Sequence, residues 1–220
     1  MRLLLVSLLC LFPVIGWAAL TVVTDQSSPG EIVPTDLGIG ETKRFLGELT
    51  GSPIMYEVSS DQSFILTAQL RQPTNQLTEP LAAIVVRQND RGGGVTEVGR
   101  ISAEVSAWQR SPDAEVGLTF LDSPQLQETV EPGVYRIEVS TPENSGRYLL
   151  QLSTGESDEA GYVESLQAAR VTQQFFGYGL FSMLQSRLIY QPLLLFIGLL
   201  IIFKSTRYWL ARKATSHVSA

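Results

Sequence analysis

Apolar and β-branched residues gather in short runs through the first two-thirds of the chain, at 64–68, 81–86, about 95–101, 116–121, 134–139 and 148–152. Alternation of period two is clearest in the last two runs. Tyr135, Ile137 and Val139 point one way, while Val134, Arg136, Glu138 and Ser140 point the other. Turn-forming clusters separate the runs: 72–75, 89–94, Ser111-Pro112-Asp113, Glu131-Pro132-Gly133 and 141–146. Many short strands with Gly and Pro punctuation, and no long amphipathic helix among them, predict a mainly β fold. The expected form is an antiparallel, jelly-roll-like β-sandwich over residues 20–155.

The texture changes after Gly155. Glu156, Ser157, Asp158 and Glu159 suit a helix start, with Ser157 as cap and the acids at the positive end of the helix dipole. Tyr162, Leu166, Ala169, Phe176, Leu180 and Met183 then recur at helical spacing, interrupted at Gln173. The pattern predicts an amphipathic juxtamembrane helix over 156–187. Phe175, Phe176, Tyr178 and Phe181 cluster near its end. Three readings of this segment stand open. It lies in the lipid headgroups, it continues the following helix outward and packs on the sandwich, or it binds a partner helix. Gly177 and Gly179 weaken a straight continuation.

Residues 188–203 are almost wholly apolar. Sixteen residues at ~1.5 Å rise span ~24 Å, short of a ~30 Å hydrocarbon core. A single transmembrane helix is therefore expected over 188–210, with Lys204 and Arg207 snorkelling and Tyr208 and Trp209 at the interface. Pro192 falls near its start, where a missing N–H costs least. At the other end, Arg2, an apolar run to Ile15, and Gly16 and Ala18 read as a cleaved signal peptide over 1–18.

Charge orients the chain. All 22 acidic residues lie between Asp25 and Glu164, and only 11 basic residues share the segment that ends at Arg187. The tail after Phe203 holds Lys204, Arg207, Arg212 and Lys213 and no acid. By the positive-inside rule the sandwich is extracytoplasmic, and the tail at 211–220 is cytoplasmic. The expected location is the plasma (inner) membrane, crossed once.

Candidate chemistry is sparse. The single histidine, His217, is in the tail, and the single cysteine, Cys10, is in the signal region. A Ser-His-Asp triad, a thiolate site and a disulfide are thus excluded from the exported part. The pairs Asp113/Glu115, Asp158/Glu159 and Glu128/Glu131 are read as solvated surface, and the 89–94 glycine loop as a hairpin loop. No cofactor and no metal is expected, and an acidic exported part argues against nucleic acid. Trp108 with Arg110 is a candidate glycan contact, against the plainer reading of Trp108 as core. Those two, with Phe175, Phe176, Tyr178 and Phe181, are the candidate contact residues. The expected partners are the lipid bilayer and another membrane or exported protein.

The segment from Glu131 through Gly133, Val134, Tyr135, Arg136, Ile137, Glu138 and Val139, followed by Gly146, Arg147, Tyr148, Leu149, Leu150, Gln151 and Leu152, resembles the final hairpin of the bacterial pre-peptidase C-terminal domain family. It also resembles that family's membrane-anchored relatives, with Gly155-Glu156 after the hairpin. The resemblance covers about 25 residues. It implies a β-sandwich whose last two strands pair, with Tyr135 and Tyr148 as cross-strand neighbours on the core face. It carries no ligand residues onto this chain. The expected function is a non-enzymatic, membrane-anchored binding or scaffolding role, with a glycan- or cation-binding module as the alternative.

Overall fold

The structure is a computed structural model that describes residues 20–24, 30–75, 81–89, 93–155 and 161–216, with side chains at the C-terminal end described as far as Tyr208. The signal region, Ser157 with its flanking acids, and His217 lie outside the described residues.

Among the described residues, twelve strands form two sheets packed face to face. They are β1 (Leu20–Val23), β2 (Ile32–Pro34), β3 (Thr42–Thr50), β4 (Ile54–Ser60), β5 (Phe64–Pro73), β6 (Ala82–Gln88), β7 (Val95–Ile101), β8 (Gln109–Asp113), β9 (Leu118–Asp122), β10 (Leu126–Val130), β11 (Gly133–Ser140) and β12 (Ser145–Ser153). One sheet runs β1-β3-β12-β5-β9-β8, with β10 also on β5, and the other runs β2-β4-β11-β6-β7. The pairing is antiparallel except at two edges, where β1 lies parallel to β3 and β2 parallel to β4.

Two expected turns are strand in whole or in part, the first keeping its turn only at Thr74 and Asn75. Gln72 and Pro73 end β5, and Ser111-Pro112-Asp113 belongs to β8. β8 is the edge of its sheet, where Pro112's missing N–H removes no ladder bond. The expected final hairpin is absent. β11 pairs with β4 and β6, whereas β12 pairs with β3 and β5 in the opposite sheet. The 141–144 connection crosses between the layers, with Asn144 at φ 48°. Tyr135 and Tyr148 therefore face the core from opposite sheets. Tyr148 meets Tyr56 instead, hydroxyl to hydroxyl at 3.0 Å, and Tyr56 meets Thr24 at 3.2 Å. Burial pushes the Tyr148 phenol well above its ordinary pKa. Gly47 lies opposite Tyr148 on β3, and a Cβ there would sit 2.4 Å from the ring.

The main core fills the space between the sheets, with Phe45, Ile54, Tyr56, Leu70, Val85, Ile137 and Leu150 among its members. A second, smaller core lies on the outer face of the larger sheet. Leu46, Leu118, Phe120 and Leu149 are covered there by Phe176.

That cover comes from helix α1 (Tyr162–Phe175). The expected single helix over 156–187 is thus broken. Gly177, at φ 78°, ends α1 in a Schellman motif, in which its N–H donates to Gln174 O and the Tyr178 N–H donates to Gln173 O. A short 3-10 helix, Leu180–Gln185, follows, and helix α2 runs from Arg187 to Ser216. The buried face of α1 is Ser165, Ala169, Thr172 and Gln173, while Tyr162 is exposed. Helix α2 begins one residue earlier than expected and continues beyond residue 210 to Ser216. Its segment Arg187–Tyr208 is long and apolar enough to cross a membrane, with 6% of its most apolar stretch buried against the protein.

Candidate functional site

The most elaborate polar construction in the described residues joins the sandwich to the head of α2. It starts at Arg71, near the end of β5 and flanked by β12 and β9, which leaves its guanidinium buried. Nη1 donates to Asp113 Oδ2 at 2.9 Å and Nε to Asp122 Oδ1 at 2.8 Å, and the group lies 4.5 Å from the Phe120 ring centre. Asp113 also shapes the β8–β9 turn: its Oδ1 accepts the N–H groups of Glu115 and Val116 at 3.1 and 3.0 Å. Burial pushes its carboxyl pKa up. The charges of Arg44 and Arg71 and the Val116 N–H outweigh that, so the pKa lies below the ordinary carboxylate value.

The turn in turn holds α2. The Arg187 N–H donates to Ala114 O at 2.7 Å, and Arg187 Nη2 to Glu115 Oε1 at 2.8 Å. Ser186 does two things. Its Oγ accepts the Leu188 N–H at 3.2 Å, the bond of an N-cap, and its hydroxyl donates to Glu115 O. Gln173 of α1, wholly buried, donates Nε2 to Val116 O and to Ser182 O, and its Oε1 accepts the Ser182 hydroxyl at 2.6 Å. Gly117 makes the approach feasible: at φ 73°, a Cβ would lie 2.7 Å from backbone atoms of Gln185 and Ser186.

A second latch uses Pro192. Residue 192 has no N–H to give the Leu188 carbonyl four positions earlier. The Tyr162 hydroxyl of α1 donates to that carbonyl instead. Arg147 of β12 fixes the other end of α1: Nη1 donates to Phe175 O at 2.8 Å, and the group stacks 5.5 Å from the Phe175 ring centre.

The sequence-predicted contact residues do not form one surface. Trp108 is 7% exposed, a member of the main core, with its indole N–H on Ser102 O at 3.2 Å. It presents no stacking face. Arg110 is exposed on edge strand β8, beside a groove of about 440 Å³ that Gln69, Asp122 and Ser123 also line. Phe176 is 1% exposed, edge-on to Phe120 at 5.9 Å and to Phe175 at 5.1 Å. Tyr178 is half-buried and donates to Asn75 Oδ1 at 2.6 Å. Of Phe175, Phe176, Tyr178 and Phe181, Phe181 is the one that stands in the open, 87% exposed.

Asp113 and Glu115, expected on a solvated surface, are covered instead: the Asp113 side chain is 8% exposed on Arg71, and Glu115 is buried where its turn meets the junction. Sequence reasoning met Asp113, Tyr162 and Gln173 only as a surface carboxylate, a periodic helix position and a break in that period, and it missed Gly117 altogether. It had a usable signal for Ser186, a serine before an apolar helix, and for Leu188, four residues before Pro192. Among the described residues no three His, Cys, Asp or Glu side chains gather as a metal set.

No family model matches the sequence, and no curated protein does. Solved structures of similar shape include the pre-peptidase C-terminal domain of a Bacillus anthracis collagenase, at 14% identity and TM-score 0.35 over 58% of this chain and 98% of that one. Another is PliG of Aeromonas hydrophila, a periplasmic inhibitor of g-type lysozyme, at 16% and 0.37 over 60% and 97%. A third is the Yersinia pseudotuberculosis-derived mitogen, at 14% and 0.38 over 56% and 93%. At these values the likeness says nothing about what this chain binds.

Proposed function

We propose that this chain is a membrane-anchored, extracytoplasmic scaffolding protein of the pre-peptidase C-terminal type, a non-enzymatic accessory of another membrane or exported protein. One observation carries the reading: the sandwich is bolted to the head of an apolar helix rather than strung from it. Glu115, Ala114 and Val116 hold Ser186, Arg187 and Gln173, and Tyr162 holds Leu188. Such a joint presents the sandwich at a fixed attitude to whatever plane the helix crosses, as a scaffold requires. The outer helix is exposed on nearly every side, as lipid contact requires. The burial of Trp108 removes the aromatic platform from the alternative glycan reading.

Two measurements test this. Replacing Ile197 and Gly198 with Arg is expected to release the chain from the membrane fraction, and unchanged retention would overturn the anchoring. Purification of the tagged chain from a mild-detergent extract is expected to bring a membrane or exported protein at fixed stoichiometry. Recovery of the free monomer alone would sink the accessory role.

A further inference from the structure

The 3-10 helix Leu180–Gln185 has no assigned role. It lies between the two latches, and no charged residue occurs from Phe175 to Ser186. Residues three apart eclipse in a 3-10 helix, and here that period separates two stripes. Met183 is half-buried and Ser186 buried on the protein side, while Phe181 and Leu184 face out, at 87% and 53% exposure; Leu180, which shares Met183's register, is open at the first turn all the same, at 70%. The outward stripe is not loose. Ser182, in its middle, is tied in both directions to buried Gln173, and Ser186, just past its end, is tied to Glu115. Three large apolar side chains are thus held rigidly in the open.

We infer that this 3-10 helix is a foot that rests in the outer lipid interface, with Leu180, Phe181 and Leu184 inserted among headgroups and upper acyl chains. The inference rests on the membrane-anchored reading above. Continuity identifies the occupant: the exposed apolar surface runs on from Leu184 into Leu193, Leu194, Phe196 and Ile197 of α2. The one intervening charge, Arg187, is satisfied by Glu115. Distance agrees. At ~2.0 Å per residue, Leu184 lies within about 6 Å of the helix head and Phe181 within about 12 Å. The interfacial layer is roughly 5–8 Å deep on each side, so with the helix head at its inner boundary Leu184 falls in it or at its outer edge. Phe181 reaches it when the segment lies along the surface. Tyr162 and Val163, also exposed, flank the same level, because the Tyr162 hydroxyl is fixed on Leu188. The foot and the span together define a plane, and the sandwich can then neither spin nor lean.

The test uses the full chain with Cys10→Ala and single cysteines placed by Phe181→Cys, Leu184→Cys, Ile65→Cys or Ile197→Cys. Each is spin-labelled and reconstituted in vesicles of phosphatidylethanolamine and phosphatidylglycerol. Accessibility to oxygen relative to a water-soluble nickel chelate reports depth. The expected order is highest at 197, intermediate at 181 and 184, and lowest at 65 on the sandwich surface, with 181 several-fold above 65. If 197 is lipid-exposed but 181 matches 65, the foot is wrong and the anchoring stands. If 197 matches 65, the anchoring fails and takes the foot with it. If 181 is shielded from both reagents and shows dipolar broadening that vanishes on dilution with unlabelled chain, a second copy covers the stripe and the lipid assignment is overturned.

Discussion

Gly117→Ala measures what the joint contributes, because Gly51→Ala supplies the matching control. Both glycines sit in the left-handed region, Gly117 at φ 73° and Gly51 at φ 93°. An added Cβ at Gly51 meets open space, whereas at Gly117 it meets Gln185 and Ser186 backbone at 2.7 Å. Each alanine carries the left-handed penalty of about 1–2 kcal/mol. Only Gly117→Ala must also push the junction off the turn. Three hydrogen bonds then fail: Arg187 N–H to Ala114 O, Ser186 hydroxyl to Glu115 O, and Gln173 Nε2 to Val116 O. At about 1 kcal/mol each they amount to roughly 3 kcal/mol. Overpacking in rigid surroundings, about 1–3 kcal/mol, gives the same range by another route.

The expected difference between the two variants is therefore about 2–3 kcal/mol. For a unit of this size, that is a Tm roughly 5–10 °C lower for Gly117→Ala. Thermal melts in detergent by near-UV circular dichroism read the difference. Hydrogen exchange locates it: the Arg187 amide is expected to lose protection in Gly117→Ala and keep it in Gly51→Ala. Equal melting temperatures and an unchanged Arg187 amide would show that the turn does not bear on the helix head.

Tyr162→Phe leaves the Leu188 carbonyl without a donor and is expected to cost about 1–2 kcal/mol. Adding Pro192→Ala restores an intrahelical N–H, so the double-mutant cycle should recover most of that loss, and strict additivity would refute the latch. Gly47→Ala drives a methyl into the buried Tyr148 ring and is expected to destabilise by about 1–3 kcal/mol in urea titrations, with a wild-type midpoint as the refuting result. Asp113→Asn removes one anion from buried Arg71 but keeps Asp122 and the turn N–H bonds. Its expected loss is about 2–3 kcal/mol, below the roughly 3–5 of a fully broken buried pair. Because the folded pKa of Asp113 is lowered, its contribution is complete above the unfolded pKa and disappears as pH falls through the folded value. Acid melts of the wild type should show this step below the usual carboxylate range, and Asp113→Asn should lack it.

The strands that could be read from sequence were those with both alternation and long-range burial, such as β11, with Tyr135, Ile137 and Val139 inward. Others were hidden by composition. β3 carries Lys43, Gly47 and Glu48 because Lys43 donates to the Thr35 and Asp36 carbonyls, Glu48 pairs with Arg147, and Gly47 seats Tyr148. The broken hairpin was illegible for a different reason. A "Tyr strand, turn, Tyr strand" pattern specifies two strands and a turn but not whether the turn stays within a sheet or crosses layers. The junction was the least legible part. Asp113, Gln173 and Ser186 are single polar residues whose partners lie 42 to 71 positions away, and no local period announces such contacts. In α1 this inverted the reading. The buried face is mostly polar, Ser165, Thr172 and Gln173 beside Ala169: the two hydroxyls bond back to the Gly161 and Ala168 carbonyls and Gln173 reaches Val116 O, whereas an apolar-periodicity search looks for the opposite.

That inversion bears on what the joint is for. An apolar α1 face would hold the helix on the sheet through area alone and would tolerate sliding, since hydrophobic contact is non-directional. Hydrogen bonds with buried partners tolerate no shift of an ångström without leaving groups unsatisfied. Here the directional contacts sit at the two ends of the lever: Arg147 on Phe175 O at one, Tyr162 on Leu188 O at the other, with Gln173 and Ser186 between. The apolar contacts, led by Phe176 on Phe120, gather at the Phe175 end. A tether that only kept the sandwich near a membrane would need none of this, because a flexible polar linker suffices. The arrangement makes sense where the angle between sandwich and helix matters, and the first place to see that angle matter is the depth of Phe181.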